Sequence, residues 1–436
     1  MKYYSTNGKS PEATLEQAVV KGLAPDRGLY MPERIERLPD SFFQNIGNLT
    51  FHEIACEVAA AFFGEDIPRA ELDAIVKDTL AFPTPIVEVS PGIYSLELFH
   101  GPTLAFKDVG ARFMARLLRY FITRGKDTRE VHVLVATSGD TGSAVANGFL
   151  GVDGISVHVL YPKGKVSAIQ ECQFTTLGRN ITALEIDGNF DDCQRLVKSA
   201  FLDPELNEKL LLTSANSINV ARLLPQAFYY FNAYAQLQRM GKTDGPIVVS
   251  VPSGNFGNLT AGLIAHRMGL PISRFIAANN ANDIFFHYLQ SGVYTPAASK
   301  ATIANAMDVG DPSNFARILD LYGNDHARIT TLISGATYSD SLIARTIAEC
   351  KTDTGYTLDP HGAVAYRALK QMLLPDETGI FLETAHPAKF KSTVDTIIAP
   401  LEVEIPPVLA RFMDGTKQSV ELPADYDHFR SYLSSL

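Results

Sequence analysis

Seven short apolar runs, most of them rich in β-branched residues, recur between residues 131 and 384 and limit the fold more than any other feature. They read VHVLVA (131–136), ISVHVLY (155–161), NITALEI (180–186), KLLLTSA (209–215), IVVSVP (247–252), RFIAAN (274–279) and GIFLET (379–384). Most are close to continuously apolar, and helical patterns such as 192–201 and 219–240 separate them. Strands covered on both faces have this character, so the runs predict parallel sheets sandwiched by helices, an α/β protein. No repeat of 20–50 residues and no low-complexity tract competes with that reading.

The first 80 residues follow a different rhythm, with amphipathic helical stretches around 14–22, 51–63 and 69–80. LAPDRGLYMPE (23–33) interrupts them with Pro and Gly, and AFPTPIVEV (81–89) marks a boundary. A chain of 436 residues is too long for one core. The expected division is a mostly helical unit over 1–90, α/β units over 91–240 and 241–400, and a tail over 401–436. The tail lacks strong periodicity and reads as irregular chain with a terminal helix.

Charge narrows the partners. A net charge of −10 gives the surface as a whole no attraction for nucleic acid or acidic membranes. A small anion can still bind, but only in a pocket whose positive potential is built locally. The four cysteines (Cys56, Cys172, Cys193, Cys350) are scattered, with no CxxC or Cys/His ligand spacing, so neither a disulfide framework nor a metal site is expected. No run approaches the ~20 apolar residues of a membrane span. The opening MKYYSTNGKSPEATLEQAVV has the pattern of neither a secretory signal nor a transit peptide. A soluble cytoplasmic protein is the expectation.

Three of the runs end in polar loops that open a helix, the places where open α/β sheets bind ligands. PSGNFGN (252–258) places a glycine-rich turn before a helix, a ready cradle for phosphate, although it matches neither G-x-G-x-x-G nor a Walker loop. A bare strand–helix turn would look the same. ATSGDTGSAV (136–145) adds the hydroxyls of Thr137, Ser138 and Thr141, which suit a carboxylate or a second phosphate but also serve as helix caps. ETAHPAKF (383–390) offers Thr384 at a strand end, either as a partner for a ring nitrogen or as a cap.

Lys107 in FHGPTLAFKDVGARFM (99–114) bears on those alternatives. Read as a helix, it shares an apolar face with Gly110, Ala111, Met114 and Leu118. A lysine there either snorkels to water or is an amine whose proton affinity is lowered by desolvation. With a phosphate cradle, an anion loop and a free hydroxyl in the same chain, it completes what pyridoxal phosphate requires: an amine, a phosphate site and a ring-nitrogen partner.

The motifs FHGPTLAFKD, ATSGDTG, SANSINVARLLPQ (214–226), VPSGNFGNLTAGLIA (251–265), NAMDVGDPSNFAR (305–317) and TAHPAKF occur in order, behind GLAPDRGLYMPE (22–33). Together they resemble threonine synthase, in its bacterial and fungal branch. The resemblance implies two doubly wound parallel-sheet domains of the tryptophan-synthase-β type (fold type II), with pyridoxal 5′-phosphate between them. It implies that Lys107 carries the cofactor as a Schiff base. Ser253, Gly254, Asn255, Phe256, Gly257 and Asn258 would take its phosphate, and Thr384 would face the pyridine nitrogen. The implied reaction converts O-phospho-L-homoserine and water to L-threonine and phosphate, by γ-elimination and then addition of water at Cβ. The Thr137, Ser138, Asp140, Thr141 loop would hold the substrate carboxylate. Asn219 and Arg222 are the candidates for its phosphate, with Ser138 or Thr141 in support.

Asp108 reads as a helix-start charge or a support for Lys107. Lys163 and Lys165 are weaker anion candidates, while Asp311, Ser313, Asn314 and His361 recur in the family pattern without an assigned chemistry. The competing readings are a serine/threonine dehydratase or cysteine synthase on the same fold, a catalytically silent relative, and a phosphate binder without pyridoxal. Monomer and dimer are both open.

Overall fold

The computed structural model describes residues 1–436 apart from 126 and 128. A small antiparallel sheet opens the chain, with β1 (Lys2–Ser5) between β2 (Ala13–Thr14) and β3 (Tyr30–Pro32). Helices Leu15–Lys21, Phe51–Phe63 and Arg69–Thr79 lie where their periodicity predicts. Thr14 and Thr50 start two of them through complete capping boxes with Gln17 and Glu53, each satisfying backbone donors in both directions.

The remaining strands are β4 (Ile86–Ser90), β5 (Ile93–Glu97), β6 (Val131–Ala136), β7 (Ile155–Pro162), β8 (Ile181–Asp187), β9 (Leu211–Ser214), β10 (Ile247–Pro252), β11 (Arg274–Asn279), β12 (Ile333–Thr337), β13 (Thr378–Glu383) and β14 (Val420–Pro423). Five of them form the sheet β14-β8-β7-β6-β9, parallel throughout. Six form the sheet β12-β11-β10-β13-β5-β4, parallel except for the β4–β5 hairpin. All seven predicted strands are present within a few residues of their expected ends.

The order within each sheet fixes where a ligand can go. From β10 the chain moves outward to β11 and β12, while β13 lies on the other side of β10. From β6 it moves to β7 and β8, while β9 lies on the other side of β6. Connections that leave in opposite directions open a crevice at the carboxyl ends of those strands. The loops after β6, β9, β10 and β13 flank these two crevices.

Four strands of the two larger sheets were not predicted. The hairpin β4–β5 covers the stretch expected to be a boundary, and β5 pairs with β13 rather than with the strands that follow it in sequence. β12 contains Ser334 and Gly335, which carry little strand preference, and it lies at a sheet edge. β14 lies in the tail expected to be irregular, yet it adds a fifth strand beside β8. Each becomes a strand because a formed neighbour offers it a ladder.

Candidate active site

The loop after β10 is shaped to expose its amides. Phe256 is left-handed (φ 60°, ψ 9°), an uncommon state for a bulky residue, and its ring is buried 4.6 Å from that of Phe285. The backbone N–H groups of Gly254 through Asn258 make no hydrogen bond to the protein among the described residues. Gly257 then begins the helix Gly257–Arg267, adding the positive end of its dipole. A Cβ at Gly254 would lie 2.7 Å from Met307 Cα, so this turn requires glycine. Asn255 is tied down instead: its Nδ2 donates to Ser217 Oγ (2.7 Å), and its Oδ1 accepts from Ser313 N–H (2.7 Å). Asn258 holds the loop's far end, its Oδ1 accepting from the Tyr229 and Tyr230 hydroxyls.

The loop after β6 folds around Thr137, whose hydroxyl accepts from Gly139 and Gly142 N–H at 2.9 and 2.8 Å. That leaves the Ser138 and Thr141 hydroxyls, and the N–H groups of Ser138, Asp140 and Thr141, without protein partners among the described residues. Asp140 is buried and pairs with Lys389 (2.7 Å), while Gln170 donates to it at 2.8 Å. Burial works against its charge, and the ammonium groups of Lys389 and Lys107 outweigh that, holding the carboxyl well below the usual range. Lys389, in the turn Pro387–Phe390, is also buried and donates to the Thr103 carbonyl. The sequence reading missed it. Its signal was the same as that of Lys107, a lysine set among apolar neighbours.

Lys107 is the first residue of the helix Lys107–Ile122, and Gly110, Ala111, Met114 and Leu118 of its predicted face are buried. Phe106 N–H donates to the Thr384 carbonyl at 2.9 Å, and an isolated bridge joins Ala105 to Ala385. These contacts set the lysine beside the end of β13. Its Nζ makes no hydrogen bond or ion pair among the described residues, and the residue retains partial solvent access. Desolvation by the surrounding protein draws its pKa down to about 8; Asp140 opposes the fall, and Arg222 and Lys389 add to it. The Thr384 hydroxyl is also without a protein partner among the described residues, and the residue is largely buried. Asp108 accepts from Thr103 N–H and hydroxyl at 2.9 and 2.7 Å, so it braces the turn that leads into Lys107.

After β9, Asn216 Nδ2 donates to the Ala136 carbonyl, binding this loop to the one after β6. Arg222 is buried. Its Nη1 donates to the Ala215 carbonyl and its Nε has no partner among the described residues. It lies against Gly110, where a Cβ would come within 2.6 Å of the Arg222 carbonyl oxygen and 3.1 Å of Nε. Asn219 differs: its Nδ2 donates to the Val19 and Ser214 carbonyls and its Oδ1 caps Ala221 N–H, so its amide is spent on structure. Lys163 is paired with Glu421 at the surface.

These features meet at one place, and sequence comparison gives the place its family. Residues 2–80 match the family described as threonine synthase N terminus, 78–380 pyridoxal-phosphate dependent enzyme, and 362–433 threonine synthase, C-terminal. The chain is 47% identical over 433 residues to a threonine synthase of Haemophilus influenzae, covering 99% of each. The chain belongs to the threonine synthase family. A crystal structure of threonine synthase from Escherichia coli superposes with a TM-score of 0.93 at 45% identity, covering 100% of both chains. The pyridoxal-phosphate-bound threonine synthase from Brucella melitensis gives 0.92 at 34%, covering 100% of this chain and 99% of that one.

The residues present fit the cofactor of this threonine synthase family. Free amides at 254–258 suit a phosphate, the unpartnered Lys107 amine suits an aldehyde, and the unpartnered Thr384 hydroxyl suits a ring nitrogen. Behind Thr384 lies a buried chain of polar groups. Ala306 N–H donates to His361 Nε2, so Nδ1 carries the proton and donates to Asp359 at 2.5 Å, and Asp359 N–H donates to Glu383 at 2.5 Å. Burial first, then the neighbouring Asp359, pushes the Glu383 carboxyl well above its usual range. His361 thereby fixes the segment carrying Met307 over Gly254.

Proposed function

We propose that this chain converts O-phospho-L-homoserine and water to L-threonine and inorganic phosphate, with pyridoxal phosphate held through Lys107. The observation that carries the reading is a partly desolvated, unpartnered lysine between two loops of free N–H groups, in a chain that matches threonine synthases over its whole length. One such loop suits the cofactor phosphate. The second phosphate site, which a dehydratase does not need, is accounted for by Arg222.

Bound pyridoxal phosphate supplies a conjugated sink for the electrons released at the substrate's Cα. The amides of 254–258 hold its phosphate, and the Thr384 hydroxyl meets its ring nitrogen without enforcing protonation as a carboxylate would. Ser138 and Thr141, with the N–H groups of their loop, hold the substrate carboxylate. Arg222, whose Nε is left without a partner among the described residues, is the group for the leaving phosphate, whose oxygens a guanidinium matches. Lys107, released when the substrate amine takes its place, removes the proton at Cα, hands it to an oxygen of the substrate phosphate, and is then free to remove one at Cβ. A pKa of about 8 suits both tasks near neutral pH. As the Cγ–O bond breaks, Arg222 stabilises the departing phosphate. Lys107 then returns the Cβ proton at Cγ, accepts one from the water that bonds to Cβ, and delivers that one to Cα.

Four free cysteines, three of them buried, accord with a reducing cytoplasm. No helix among the described residues is long and apolar enough to cross a membrane. The test is an absorbance spectrum of the purified protein before and after O-phosphohomoserine, followed by phosphate release. Lys107→Ala is expected to abolish both the cofactor band and threonine formation, and normal turnover by that variant sinks the reading. Threonine deamination without phosphohomoserine turnover would favour a dehydratase.

A further inference from the structure

Next to the 253–258 loop lies a buried cation that no step above uses. Arg317, in the helix Phe315–Leu321, is 0% exposed and forms no ion pair among the described residues. A guanidinium removed from water without a counter-charge persists only where its donors are met by oxygens. Here Nη1 donates to the Ser217 carbonyl (3.0 Å) and Asn314 Oδ1 (2.8 Å), Nη2 to the carbonyls of Ile218 (2.8 Å) and Tyr30 (3.0 Å), and Nε again to Tyr30 (3.3 Å).

The groups it holds join the two crevices. Asn314 Nδ2 donates to the Asn255 carbonyl at 2.9 Å and to Ser217 Oγ at 3.2 Å, and Asn255 Nδ2 donates to that same Oγ at 2.7 Å. Ser217 and Ile218 directly precede Asn219, which caps the turn bearing Arg222. Ser217 is therefore a joint between the loop after β10 in one sheet and the loop after β9 in the other. Arg317 clamps that joint through a planar fork, which the three donors of a lysine ammonium cannot reproduce.

We propose that Arg317 is a positioning residue that sets the spacing between the cofactor-phosphate loop and Arg222, acting through Ser217 and Asn314. The inference rests on the roles given above to residues 254–258 and Arg222. Loosening the clamp moves two anion sites at once, so cofactor affinity and substrate-phosphate affinity fall together.

The test uses the full chain with Arg317→Lys and Ser217→Ala. Three readouts apply: the pyridoxal phosphate Kd by absorbance titration, inhibition by inorganic phosphate, and KM and kcat for O-phosphohomoserine. Thermal unfolding is followed alongside. The expected result is a cofactor Kd raised about tenfold in Arg317→Lys and about threefold in Ser217→Ala, the span of one or two lost hydrogen bonds. Phosphate inhibition should weaken in parallel, and KM should rise more than kcat falls. Wild-type affinities for both anions in Ser217→Ala overturn the proposal, whatever happens to the Tm and even if Arg317→Lys does not fold. Absence of cofactor uptake by the wild-type chain overturns both this and the proposed function. Wild-type uptake and parallel anion losses without threonine formation leave the positioning role standing and remove only the reaction.

Discussion

Replacing Lys389 with methionine keeps an unbranched side chain, one atom shorter, and removes one charge from the centre of the site. Its Nζ lies 2.7 Å from Asp140 Oδ1 and 2.8 Å from the Thr103 carbonyl, with both charged side chains at most 5% exposed. Removing one partner of a buried pair costs about 3–5 kcal/mol, because the other charge stays buried. Lys107 is the second cation acting on Asp140, so part of that cost is recovered and a loss near the lower end is expected. The recovery has a chemical consequence: Lys107 loses a neighbouring positive charge and gains a larger share of Asp140. Its pKa then rises from about 8 toward the ordinary 10.5. A rise of one unit corresponds to about 1.4 kcal/mol and leaves about tenfold less free amine near neutral pH. Only the free amine attacks a carbonyl. Mixing apoprotein with pyridoxal phosphate across a pH series should therefore show the midpoint of attachment displaced upward by about a unit, with Lys389→Arg close to wild type. An unchanged or lower midpoint in a folded Lys389→Met protein refutes the electrostatic account and leaves Lys389 as a support for the 103 turn alone.

Gly110→Ala places a Cβ 2.6 Å from the Arg222 carbonyl oxygen, and the overpacking should cost about 1–3 kcal/mol in denaturant unfolding and raise KM for the phosphorylated substrate. Gly254→Ala, with its Cβ 2.7 Å from Met307 Cα, should weaken cofactor binding at least about tenfold in the same absorbance titration, from displaced amides. His158 stacks on His132 and accepts or donates to the Tyr432 hydroxyl at 2.8 Å; burial first, then His132, draws its pKa down to about 3. The unfolded chain takes up that proton near pH 6.5 while the folded one does not. Stability is therefore full above about 6.5 and declines toward pH 3, by at most about 1.4 kcal/mol per pH unit from this group, with a shallower decline in His158→Gln measured by urea unfolding.

Much of the chain was legible before folding because the relevant signals are local. Continuous apolar runs named the central strands, and polar turns at their ends named the loops of both crevices. A lysine on an apolar helical face pointed to the amine proposed to hold the cofactor. Asn219 shows the limit of such reading: it lies in the motif with Arg222, yet its amide is consumed by the carbonyls of Val19 and Ser214. Strands β5, β12 and β14 were invisible for a related reason, since weak or short segments become strands only beside a neighbour already in place.

The sequence alone determined the fold class, and it singled out the loops and the lysine proposed here as the site, since each depends on side chains a few residues apart. Tertiary structure decided which charges stand beside that amine and what holds the loops in register. Lys389 reaches Thr103 across 286 residues of chain, and Arg317 reaches Tyr30 across 287. A buried charge is stable only where distant segments converge to supply its partners, and no periodicity in the sequence records that convergence.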